Sequence, residues 1–176
     1  MRRALVIGCP GGGKSTFARR LEDVTGLPLV YLDRLYWNAD RTAVSKDEFD
    51  RRLEAVLRRD EWIIDGNYAR TLEARLKRCD TVFFLDYPAA VCLSGIADRR
   101  GVARVDMPWV ETAEDPAFTA FVRDFHKEVR PRIIQCLESA EGVEIHQFRS
   151  RADAERYLNA DSTAGWVGFN RRCVVI

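Results

Sequence analysis

A chain of 176 residues, 47% hydrophobic and 31% charged, suits one globular domain, large enough to bury about 70% of its unfolded surface. A formal net charge of +1 gives no overall pull toward nucleic acid or membranes, so it argues against direct nucleic-acid binding and leaves any basic site to a local cluster. No apolar run reaches the ~18 residues of a membrane span, because Asp86 and Asp98 interrupt the most hydrophobic region.

The chain begins Met1-Arg2-Arg3, and the apolar run behind these charges stops at Gly8, too short for a secretory leader. Within it, Ala4-Leu5-Val6-Ile7 reads as a buried strand. Gly8-Cys9-Pro10-Gly11-Gly12-Gly13-Lys14-Ser15-Thr16 follows, and Phe17, Leu21 and Val24 then recur as the inner face of a helix. Strand, Gly-x-x-x-x-Gly-Lys-Ser, helix is the context of a phosphate-binding P-loop. Its glycines turn backbone N–H groups inward, and the helix N-terminus adds unpaired donors and partial positive charge. Gly8, Pro10, Gly11, Gly12, Gly13, Lys14, Ser15 and Thr16 are therefore the expected nucleotide-binding residues, with ATP as ligand. Lys14 reaches the β- and γ-phosphates, and the Ser15 hydroxyl is placed to ligate Mg²⁺.

Leu29-Val30-Tyr31-Leu32 is a second short strand running into Asp33, Tyr36 and Trp37. Ser45 and Glu48 form a capping box ahead of a helix with Phe49, Leu53, Val56 and Leu57 inward. Trp62-Ile63-Ile64-Asp65 and Thr81-Val82-Phe83-Phe84-Leu85 are strands with a short helix around Leu72 and Leu76 between them. A helix from Pro88 to about Arg99 leads to a period-free stretch at 100–114, read as a short lid. A long helix then starts at Pro116, with Phe118, Phe121, Val122, Phe125 and Val129 inward and a kink at Pro131. Val143 to Phe148 is a fifth strand, and Ser150 caps a last helix. Near-continuous apolar strands alternating with helices predict a three-layer α/β fold around a five-stranded parallel sheet. The P-loop domain spans 1–160, including the lid; for the tail 161–176, Cys173-Val174-Val175-Ile176 reads either as an added strand or as disorder. The cysteines, Cys9, Cys79, Cys92, Cys136 and Cys173, form no C-x-x-C pair, which points to reduced thiols in a cytoplasm rather than zinc or disulfides.

Ligands of parallel α/β sheets sit at the carboxyl ends of strands, where Asp33, Asp65 and Asp86 fall. Asp65 is the expected partner of Ser15 at Mg²⁺. Asp33 is the expected catalytic carboxylate, accepting the proton of an attacking hydroxyl. Asp86 is read as structural, paired with a lid arginine. Arg99, Arg100 and Arg104 lie where a lid closes, with Arg130 and Arg132 beyond them; of these, Arg100 and Arg104 join Lys14 and Asp33 as the catalytic set. Tyr36, Trp37 and Tyr68 either wall an acceptor pocket or pack against the sheet. His126 and His146 carry no catalytic expectation, since phosphoryl transfer needs no histidine.

The P-loop, Asp33-Arg34-Leu35-Tyr36-Trp37, Trp62-Ile63-Ile64-Asp65-Gly66-Asn67-Tyr68, Arg104-Val105-Asp106-Met107 and Arg130-Pro131-Arg132 together resemble the adenylate-kinase-related proteins known as DNA topology modulation proteins, over roughly residues 4–158. The resemblance implies the nucleoside/nucleotide-kinase type of P-loop fold with a mobile lid. Where adenylate kinases have Asp-Gly-Phe-Pro-Arg, this chain has Asp65-Gly66-Asn67-Tyr68-Ala69, without the AMP-clamping arginine; Arg70 is displaced. Asp33 followed by Tyr36-Trp37 resembles instead the acceptor side of uridine-type nucleoside kinases. The expectation is an ATP- and Mg²⁺-dependent kinase acting on a small-molecule hydroxyl. The alternatives are a nucleoside-monophosphate kinase and, from the family's name, a nucleotide-dependent regulator of DNA topology.

Overall fold

The computed structural model describes residues 1–161. In chain order these form β1 (Arg3–Gly8), α1 (Lys14–Thr25), β2 (Leu29–Tyr31), α2 (Leu32–Tyr36), α3 (Lys46–Leu57), β3 (Trp62–Asp65), a 3-10 turn (Ala69–Thr71), α4 (Leu72–Leu76), β4 (Thr81–Leu85), α5 (Ala89–Asp98), α6 (Pro116–Glu128), α7 (Arg130–Glu138), β5 (Glu144–Phe148) and α8 (Arg151–Asp161). The tail expected at 161–176, apart from Asp161 at the end of α8, lies outside the described residues.

All strand pairs are parallel, in the order β2-β3-β1-β4-β5. The inner strands β3, β1 and β4 are buried almost throughout, because their apolar side chains leave both faces of the sheet to be covered by helices. This is the three-layer α/β architecture expected. From α1, Phe17, Ala18 and Leu21 enter the core, with the Phe17 ring 5.1 Å from that of Phe83. From α3, Phe49, Leu53, Val56 and Leu57 are buried, each side chain contributing about 1.5–3 kcal/mol. Only half of the capping box forms: Ser45 accepts from the Glu48 N–H at 3.2 Å, whereas the Glu48 carboxylate turns to Arg51 and Arg52.

Three expectations are corrected. Asp33 does not end a strand, since β2 stops at Tyr31, opposite Asp65, where β3 itself ends and the ladder loses its partner. Asp33 sits instead in the first turn of α2. The long helix is not kinked at Pro131 but broken at Val129, and Pro131 lies in the first turn of α7, where its missing N–H costs no hydrogen bond. Phe121 is not inward: the inner stripe is Val122 and Phe125, and Phe121, one helical step away, is 44% exposed.

Candidate active site

The phosphate loop is built by close approach of backbones. Gly11 (φ 81°) and Gly13 (φ 88°) take the left-handed conformation, and Gly13 is the N-cap of α1. A Cβ on Gly11 would lie 2.1 Å from the Cys92 carbonyl oxygen, and one on Gly95 would lie 2.1 Å from the Gly11 carbonyl oxygen. Helix α5 therefore seats directly on the loop. Lys14 Nζ donates to the Cys9 carbonyl at 3.1 Å, curling over the loop at the N-terminus of α1, where unpaired N–H groups gather. Gly8 is held from the loop after β3: its N–H donates to Asn67 Oδ1 at 2.9 Å and its carbonyl accepts from Asn67 Nδ2.

In the first turn of the helix, the Ser15 hydroxyl donates to Asp65 Oδ2 at 2.6 Å, and Asp106 Oδ2 lies 3.2 Å from the same oxygen. Asp65 and Asp106 are only 5% and 4% exposed. Burial pushes the Asp65 carboxyl up to about 6; Lys14 and the Ser15 hydrogen bond pull it down, and the charges of Asp33 and Asp106 push it further up. Asp65 Oδ1 is buried without a hydrogen-bond partner. Hard oxygens with spare capacity beside a phosphate loop fit Mg²⁺, with Ser15 and Asp65 as the residues to hold it. No three His, Cys, Asp or Glu among the described residues could enclose a metal by themselves. A cation here would share its shell with phosphate and water, as Mg²⁺ does.

Asp33 lines the same cavity of about 980 Å³ as Ser15 and Asp65. Tyr68 donates its hydroxyl to Asp33 Oδ1 at 2.7 Å. Burial raises the Asp33 carboxyl, against the lowering pull of that hydrogen bond and of Lys14. The Tyr36 ring packs edge-on against Trp37 and Phe49 and 5.2 Å from Tyr68, while Trp37 meets Trp109 edge-on at 5.2 Å. Trp37, Tyr68 and Trp109 line the cavity, and Tyr36 backs them from the core side. Residues 99–115 fold over the top: Arg34 Nε donates to the Val105 carbonyl at 2.8 Å, and Arg41 Nη2 to that of Val110 at 3.3 Å. Within this segment Arg99 Nε lies 3.0 Å from Glu111, Arg104 lies 3.5 Å from Glu111 and 3.2 Å from Asp106, and Arg100 lies 3.6 Å from Glu114.

Pro10, Gly11, Gly13, Lys14, Ser15, Thr16, Asp33, Asp65, Arg100 and Arg104 all line this one cavity, as does Arg99. Gly8 and Gly12 lie behind its wall, Gly8 held by Asn67 and Gly12 donating its N–H to the Cys9 carbonyl at 3.1 Å. Arg130 and Arg132 do not reach it. Asp86, expected to pair with a lid arginine, is held by Arg130 of α7 through contacts of 2.7–3.0 Å and by Gln147 at 2.6 Å. Arg132 is exposed near Glu73, and Arg70 makes a bidentate pair with Asp50. Sequence reasoning assigned no role to Asn67, Asp106 or Arg75. Arg75 is fully buried and its guanidinium donates to the carbonyls of Gly66, Asn67 and Tyr68, so it shapes the loop that carries Asn67 and Tyr68. Position alone could have flagged Asn67, two residues beyond Asp65, and Asp106, two beyond Arg104.

The chain is similar to a solved structure of shikimate kinase from Acinetobacter baumannii in complex with shikimate, with a TM-score of 0.56, 16% identity, and 94% of this chain and 96% of that one covered. The fold is of the nucleotide-kinase P-loop type. In sequence, this P-loop chain is 30% identical over 101 residues to adenylate kinases of Thermotoga petrophila and Thermotoga maritima, and 31% identical over 97 residues to that of Thermosipho melanesiensis. The match takes in 56% of this chain and 45% of each Thermotoga protein, so the chain spans less than half the length of those relatives. No protein-family model matches it. No described helix is long and apolar enough to cross a membrane.

Proposed function

We propose that the chain is an ATP- and Mg²⁺-dependent kinase that transfers the γ-phosphate to a hydroxyl of a small molecule. The observation that carries this reading is the meeting of Asp33 with Lys14, Ser15 and Asp65 around one cavity. The loop amides and Lys14 bind the phosphates, and Thr16 sits at the same helix start. Asp33 takes the acceptor's proton as the acceptor oxygen bonds to the γ-phosphorus, the bond to the β–γ bridging oxygen breaks, and ADP leaves. Arg99, Arg100 and Arg104 spread over the transferring group and offset its charge. Magnesium, when bound, neutralises phosphate oxygens beside Ser15 and Asp65. The free thiols of Cys9, Cys79, Cys92 and Cys136 support a cytoplasmic setting.

The similarity to adenylate kinases favours a second reading, with a nucleoside monophosphate as acceptor. Against it, Arg70 is engaged by Asp50 instead of being free to clamp a phosphate. Measuring ATP consumption against a panel of small alcohols, nucleosides and nucleoside monophosphates decides between them. Turnover with a hydroxyl acceptor supports the first reading; turnover with monophosphates alone overturns it. Nothing in the site favours a direct role in DNA topology.

A further inference from the structure

We infer that Asp106, carried by the segment over the cavity, completes the cation end of the site, so that metal binding and closure of that segment are coupled. The inference rests on the Mg²⁺-dependent reading above and names a residue which that reading does not use.

Ser15 has one hydroxyl hydrogen, and the 2.6 Å contact to Asp65 takes it. Asp106 Oδ2, at 3.2 Å, therefore approaches Ser15 Oγ without a full hydrogen bond of its own. Three oxygens, from Ser15, Asp65 and Asp106, thus converge in a buried corner with one proton among them. A second observation points the same way: Asp65 Oδ1 is buried with no partner at all. The positive groups facing this corner include Lys14, whose ammonium is turned to the Cys9 carbonyl, Arg104, which Asp106 shares with Glu111, and Arg99, which feels the Asp106 charge and pairs with the same Glu111. Two carboxylates buried this closely call for a hard cation, and Asp106 is suited to hold one of the waters that Mg²⁺ retains. Asp106 is reached from α5 and α6 only through the loop between them. Arg99, Glu111, Arg104 and Asp106 form a run of charges that ends on Ser15. A cation that draws Asp106 inward therefore draws this run with it, and by linkage the closed segment raises the affinity for the cation.

The test uses the full chain with Mn²⁺ as a paramagnetic stand-in and a non-hydrolysable ATP analogue bearing a β,γ-imido bridge. Mn²⁺ affinity is measured for wild type, Asp106→Asn and Ser15→Ala, along with hydrogen exchange over residues 99–115 with and without metal. Residues that orient a metal's outer shell typically contribute about 10- to 100-fold to its affinity. Asp106→Asn is expected to weaken Mn²⁺ about tenfold and to abolish the metal-dependent slowing of exchange. Melting curves verify folding, and Asp106→Ser replaces the asparagine variant if that one unfolds. Unchanged Mn²⁺ affinity in Asp106→Asn, with Ser15→Ala weakened, overturns this inference alone. Tighter metal-free analogue binding in Asp106→Asn with unchanged Mn²⁺ affinity also overturns it, making Asp106 a stand-in for phosphate. Loss of effect in both variants overturns the Mg²⁺ reading as well.

Discussion

Asn67 pairs with both backbone polar groups of Gly8, accepting from its N–H at 2.9 Å and donating to its carbonyl. This ties the entry of the phosphate loop to the loop after β3, so that the two sides of the site share one register. Each hydrogen bond contributes about 1 kcal/mol, and the unpaired Gly8 groups left behind cost more. Asn67→Ala is expected to lower stability by about 2 kcal/mol and weaken ATP binding about tenfold, measured by denaturant melts and calorimetric titration. Unchanged ATP affinity would show that the loop holds its shape without the clamp.

Lys14 is only partly buried, and its ammonium donates to the Cys9 carbonyl. Lys14→Met is therefore expected to leave the melting temperature close to wild type while cutting turnover about 10²-fold or more, the scale on which a single charge-stabilising donor acts. Near-normal turnover would remove the phosphate-loop assignment.

Asp33→Asn separates the two acceptor readings. Asparagine keeps the size and still accepts from Tyr68, but it cannot take a proton. Turnover of a hydroxyl acceptor is expected to fall about 10²–10⁴-fold with ATP affinity retained. A phosphate acceptor has no such proton to lose, so an unchanged or faster rate identifies a monophosphate kinase. Steady-state kinetics in both substrates reads the difference.

Asp65 should trade stability for its place in the site. Burial lifts its carboxyl to about 6, above the ordinary 3.8, so the folded chain holds that proton more tightly than the unfolded one. Above pH ~6 the ionised group therefore costs stability. The cost shrinks as pH falls through ~6 and vanishes below the unfolded value near 4. Roughly two units correspond to a ceiling of ~3 kcal/mol. Asp65→Asn is expected to melt higher than wild type at about pH 8 without metal or nucleotide, with the gain fading by about pH 4. Melts across that range check it, and a gain that grows on acidification contradicts the assignment.

Local patterning carried much of the fold and part of the site. The P-loop string sat between a branched apolar run and an i, i+4, i+7 stripe, and the structure places β1 and α1 there. Asp65 was legible because Trp62-Ile63-Ile64 is a complete buried strand ahead of it. Asp33 was placed one element wrongly, because where β2 stops depends on the length of its partner β3, which β2's own residues do not encode. Asp86 was assigned a lid partner because sequence distance gave no hint that α7 would bring Arg130 to it, 44 residues away.

What the sequence by itself determined, then, is what repeats at short range: the strand and helix periods and the glycines of the phosphate loop. The tertiary structure alone decided which polar groups meet. Ser15 and Asp106 are 91 residues apart, Asp33 and Tyr68 are 35 apart, and Gly8 and Asn67 are 59 apart. Such pairings follow from strand order and from the path of residues 99–115 over the cavity. The same is true of Arg75, whose sequence neighbourhood reads as an ordinary charged helix. Only the packing of α4 buries it and turns its guanidinium toward three carbonyls, because a buried donor that lacks a carboxylate has to find backbone oxygens.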